Sequence, residues 1–164
     1  MSQIKEINLS FIELEYFKNE LKEYLQFIFK LKLKIKAILL FGSVATGKAR
    51  DDDDYLSDID LIIVSDDLPE DHWERSKFVF ELTKSISSGK QTLWRTSKEM
   101  EGYVRSKYYL ILDAFDEGKI LYDPEKFLFK LRKKLFKDLE EKGVKKTELY
   151  WQWPIKEFGD KIEF

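Results

Sequence analysis

The chain has 164 residues with 43% hydrophobic content, enough to bury a core as a single domain 1–164, and the lack of cysteine excludes a disulfide scaffold. Its 29 basic and 31 acidic residues leave a net charge of −2, which makes a nucleic-acid partner an unpromising expectation. The longest apolar runs, such as Ile59–Val64, are too short to span a bilayer, and MSQIKEINLS lacks a basic-then-apolar leader pattern, so no membrane partner and a cytoplasmic location are expected.

In chain order, Leu14, Phe17, Leu21, Tyr24, Leu25, Ile28 and Leu31 recur at helical spacing and predict an amphipathic helix over about 11–31. Ile35–Phe41 reads as a buried strand and Ser43–Lys48 as a short helix. Asp51-Asp52-Asp53-Asp54 reads as a solvated, self-repelling loop tip, with an extra cation or a basic partner as the sharper alternative. Ser57–Val64 forms the second strand, and Pro69 leads a helix over about 70–86. His72, the only histidine, reads as a surface or packing residue. Lys90–Thr96 follows as a third strand, and Ser97 is expected to cap the next helix. Tyr108–Phe115 is helical, with the Tyr108-Tyr109 pair expected in the core. Ile120–Tyr122 reads as a short strand or extended piece, and Asp123-Pro124 opens a long helix to about Lys142. Trp151, Trp153 and Phe158 form an aromatic ending read as core cover, with a homodimer contact or a clamp over the second strand as alternatives. Strands alternating with helices predict an α/β (α+β) fold, a small mixed sheet covered on one face by helices. Residues 33–96 would be its core and 97–164 a helical extension.

The chemistry concentrates between Leu39 and Val64. Side chains alternate along a strand, so Asp58 and Asp60 share a face while Ile59 and Leu61 point into the core. Two carboxylates so close repel unless a cation sits between them, and hard oxygen ligands suit Mg²⁺ together with substrate phosphates. Gly42 and Ser43 stand where a strand turns into a helix, a place where backbone N–H groups attract an anion. Gly42 to Ala49 is also one residue short of a Walker A loop, but Ala49 stands where that loop needs a hydroxyl.

Phe41-Gly42-Ser43, Ala45, Gly47 and Ser57-Asp58-Ile59-Asp60-Leu61-Ile62-Ile63-Val64 resemble the signature of the DNA polymerase beta type nucleotidyltransferase superfamily, particularly its small stand-alone archaeal and bacterial members. Thr96 to Met100, Glu117 to Asp123, and Tyr150-Trp151 with Phe158 to Phe164 are similar to one archaeal branch. The resemblance implies a nucleotidyltransferase fold in which Asp58 and Asp60 ligate Mg²⁺, Gly42 lets the backbone approach the triphosphate, and Ser43 donates to it. It implies transfer of a nucleoside monophosphate from ATP or another triphosphate to a hydroxyl on a protein, a small molecule or RNA. It also implies a small helical partner of the HEPN class. The other reading is a binding module or antitoxin-like partner that transfers nothing. The family's third carboxylate would fall at Gln91 or Thr92, and neither is an acid. Heavy Lys and Glu usage fits a thermophile.

Overall fold

Two strands with hardly a polar residue determine the layering. In the computed structural model, which describes residues 7–155, β1 (Ala37–Phe41) has four fully buried residues in a row. Its neighbour β4 (Ile59–Val64) is buried everywhere but at Asp60. A strand apolar on both faces needs cover on both. Helices accordingly pack on both sides of the sheet, rather than on the one face expected from the sequence.

On one side α1 (Glu15–Ile28) lays Phe17, Leu21, Tyr24, Leu25 and Ile28 against Ile38, Leu40, Ile59, Leu61, Ile63 and Trp94, with α3 (His72–Thr83) beside it. The opposite face, carrying Ala37, Leu39, Ile62 and Val64, is covered by α4 (Ser97–Arg105), α5 (Tyr109–Glu117) and α6 (Phe127–Glu141) through Met100, Ile111, Phe115, Leu128 and Leu139. The sheet is mixed, in the order β5-β4-β1-β6, with β5 at Lys90–Arg95 and β6 at Lys119–Tyr122. β1 runs antiparallel to β4 and β6, while β4 and β5 are parallel. Its fourth strand thus comes from the segment 97–164, at the piece around Ile120–Tyr122 read from the sequence as a short strand or extended.

Local chemistry moved several boundaries. Thr96, not Ser97, caps α4: its hydroxyl accepts from the Glu99 N–H while the Glu99 carboxylate accepts from the Thr96 N–H, a reciprocal capping box. Ser97 instead donates its N–H and hydroxyl to Asp66 at 2.7 and 2.8 Å. The last helix starts at Phe127 rather than at Pro124, because the Asp123 carboxylate accepts from the N–H groups of Phe127 and Phe129. Tyr108 and Tyr109 are exposed, not core; the Tyr108 ring meets Tyr109 edge-on and packs tilted against Tyr103 of α4. His72 lies at the surface, as expected.

Two short hairpins were not anticipated. One pairs β2 (Asp51–Asp52) with β3 (Tyr55–Leu56), and the other pairs β7 (Lys145–Lys146) with β8 (Trp151–Gln152). Trp151 packs near Phe136 and donates its indole N–H to Asp113 at 2.9 Å, so this part of the aromatic ending covers α5 and α6. Phe158 and the residues after it lie outside the described residues. Among the described residues no helix is long and apolar enough to cross a membrane.

Candidate functional site

The site lies at the end of the sheet where β1 stops and β4 and β5 start. The pairing register sets Phe41 opposite Asp60, and Asp60 beside Gln91 on the parallel neighbour. Ile59 anchors the start of β4 in the core at 2% exposure, so Asp58 and Asp60 are held on the other face, each partly buried. Asp60 reaches the turn that follows β1, and Asp58 lies close enough for its charge to act on Asp60.

Gly42 explains that turn. Its φ is +72°, a left-handed value that strains any residue with a side chain, and a Cβ there would overlap Asp60 Oδ2. The carboxylate therefore lies directly against the Gly42 backbone. From Gly42 the chain enters α2 (Gly42–Thr46), a single helical turn whose N-terminus has no side-chain cap. A helix of five residues has little macrodipole, so what it offers an anion is its first backbone N–H groups and the Ser43 hydroxyl. Gly47, at φ +73°, closes the turn by letting the Lys48 N–H reach Ser43 O. The four residues singled out from the sequence, Gly42, Ser43, Asp58 and Asp60, thus come together at one end of the sheet.

The two carboxylates are partly buried and repel each other. Burial, with a smaller contribution from the neighbouring Asp58 charge, pushes the Asp60 carboxyl up to about 6. A divalent ion would relieve both causes at once. Two carboxylates facing backbone donors suit a hard cation that takes its remaining oxygens from phosphate and water. Among the described residues no group of three Asp, Glu, His or Cys side chains is placed to hold a metal ion. Two acids farther along the chain, Glu99 and Asp113, are committed elsewhere. Glu99 sits beyond the far end of β5 and accepts from Arg75 at 2.7 Å. Asp113 is held by Lys146 and Trp151. Gln91 occupies the place beside Asp60, and its amide donates to Asp58 Oδ2 at 2.7 Å. The sequence marked Gln91 only as a non-acid; its bond to Asp58 depends on parallel pairing that no local pattern reports.

The Asp51–Asp54 run is ordered rather than merely repelling. The Asp52 carboxylate takes both donors of the Arg50 side chain and the N–H groups of Asp54 and Tyr55, closing the turn of the hairpin. The Arg50 bond, foremost, holds the Asp52 carboxyl below its usual range. At the hairpin's base the buried Ser57 exchanges hydrogen bonds with the Arg50 backbone, and one residue later the chain delivers Asp58.

No match was found among curated proteins. Among solved structures, a toxin–antitoxin crystal structure with AMP-PNP is similar at 17% identity and a TM-score of 0.45, covering 76% of this chain and 87% of that one. A mutant of the toxin–antitoxin pair MntA–HpeT gives 16% identity and 0.44, covering 73% and 86%, and the MntA–HepT pair gives 15% and 0.42, covering 76% and 87%. The model of the polymerase beta nucleotidyltransferases matches residues 19–127, a span that takes in most of α1, both acids and the whole four-stranded sheet, and the chain belongs to that family.

Proposed function

We propose that the protein moves a nucleoside monophosphate from ATP or another nucleoside triphosphate to a hydroxyl acceptor, using Asp58 and Asp60 to hold Mg²⁺ and Gly42 and Ser43 to bind the triphosphate. The observation that carries this reading is the contact between the Asp60 carboxylate and the Gly42 backbone, which puts a cation ligand and an anion cradle side by side. Mg²⁺, when bound, would neutralise charge developing on the transferred phosphoryl group and align the attacking and leaving oxygens. The chain's own part is positioning. Gly42 allows close approach of the phosphates, the Ser43 hydroxyl and N–H donate to them, and the rigid β1–β4 pairing keeps that cradle in register with the acids.

A second reading, a nucleotide-binding module without transfer, is favoured by one observation: an amide, Gln91, stands beside Asp60 and donates to Asp58. Incubation with α-labelled ATP and Mg²⁺ separates the two. Label moved to an acceptor, and lost in Asp60→Asn, supports the transferase; saturable Mg²⁺-dependent binding without transfer supports the module. A helical partner of the HEPN class, a cytoplasmic location and a second copy of the chain stay expectations of the resemblance and the composition.

A further inference from the structure

The candidate site sets a third polar side chain beside its two acids, and that side chain is neutral. Gln91 is in register with Asp60 on the adjacent parallel strand, so the two side chains leave the sheet on the same face, one strand spacing of about 4.8 Å apart. Gln91 is exposed, so the fold does not require an amide there. Its Nε2 donates to Asp58 Oδ2 at 2.7 Å, and since an ionised carboxylate can only accept, the amide must present its NH₂ end to it. We infer that Gln91 limits this site to one divalent cation per bound nucleotide, by filling the place beside Asp60 with an uncharged donor that ties up one oxygen of Asp58.

Two divalent ions a few ångströms apart repel strongly at the low effective dielectric of a partly buried site, and only additional anionic oxygens can offset this. The protein offers two negative charges here, and one of the four carboxylate oxygens is already engaged by the Gln91 amide. No other acid among the described residues completes the group. Asp58 and Asp60 would then hold a single cation, the one that a nucleoside triphosphate carries with it. The inference rests on the nucleotide-binding reading above.

The test counts ions rather than turnover. Mn²⁺, which replaces Mg²⁺ and is read by electron paramagnetic resonance of the free ion, is titrated into the full chain saturated with a non-hydrolysable ATP analogue. The wild type is expected to bind one Mn²⁺ per chain. Gln91→Glu is expected to bind two, with a melting temperature in chelator that falls below wild type and is regained with Mn²⁺. Gln91→Asp serves as a second acidic variant should the first fail to fold, and Gln91→Met, which removes the donor without adding charge, is expected to stay at one. Two ions in the wild type, or one in both acidic variants, overturns the inference while leaving nucleotide binding intact. A wild type that binds no analogue at all overturns the nucleotide reading itself, and the inference with it.

Discussion

Asp60 is a carboxylate held where its charge is unwelcome. Its folded-state pKa, about 6, lies above the ordinary 3.8, so the folded protein binds the proton more tightly than the unfolded chain. The sign follows: the contribution of Asp60 to stability is greatest below about pH 4 and is lost as pH rises through about 6. Two pKa units are worth nearly 3 kcal/mol when fully buried, and the partial burial of Asp60 reduces that to about 1–2 kcal/mol. Urea unfolding in chelator should show the wild type losing this amount relative to Asp60→Asn between pH 4 and 7. The same variant should be the more stable protein at pH 7 yet lose transfer by about a hundredfold or more, since a preorganised charge at the reacting centre is gone. Gly42→Ala is the complementary probe. It forces a side chain onto a left-handed backbone and into the Asp60 carboxylate. It should cost about 1–3 kcal/mol in chemical denaturation and abolish Mg²⁺-dependent nucleotide binding in calorimetry.

Between elements, one buried polar tie lies away from the site. The Arg75 guanidinium, 5% exposed, reaches Glu99 at 2.7 Å and the Pro69 carbonyl at 2.8 Å, joining the start of α3 to the start of α4. Burial pushes the Glu99 carboxyl up, but the bonds from Arg75 and from the Thr96 N–H outweigh it and hold the group below its usual range. Removing the cation leaves a partly buried charge without its partner, so Arg75→Met should destabilise the protein by about 2–4 kcal/mol in urea titration. Nucleotide affinity of the folded variant should stay within about twofold of wild type, because the tie and the site occupy opposite ends of β5 and distant changes act independently. The hairpin of β2 and β3 is tied to the site instead. Ser57→Ala removes a buried acceptor from the Arg50 N–H and should cost about 1–2 kcal/mol, with weaker nucleotide binding because Asp58 is the next residue. A change in stability with unaltered binding would show that the hairpin does not position Asp58.

Across the molecule, much of the layout can be read from the chain alone. The apolar period of residues 14–31 and the unbroken runs in β1 and β4 specify helix and buried strands through local patterning. Gly42, Ser43, Asp58 and Asp60 lie near one another because the strand–turn–helix and the next strand are joined by a single hairpin. What the chain hides is non-local. The pairing of β1 with β6 recruits a strand from residues 119–122, and helices on both faces follow from long-range packing that no window of sequence contains. The order within Asp51–Asp54 depends on Arg50, whose reach could not be inferred from the run of like charges. Gln91 acquires its meaning only once a parallel register places it beside Asp60. The central claim, a cation and a triphosphate held together at the end of β1 and β4, is tested most directly by crystals grown with Mn²⁺ and a non-hydrolysable ATP analogue and measured for anomalous scattering. A manganese peak touching Asp58 and Asp60, with phosphate density against Gly42 and Ser43, is the expected result. A peak elsewhere, or an empty site at saturating ligand, would contradict it.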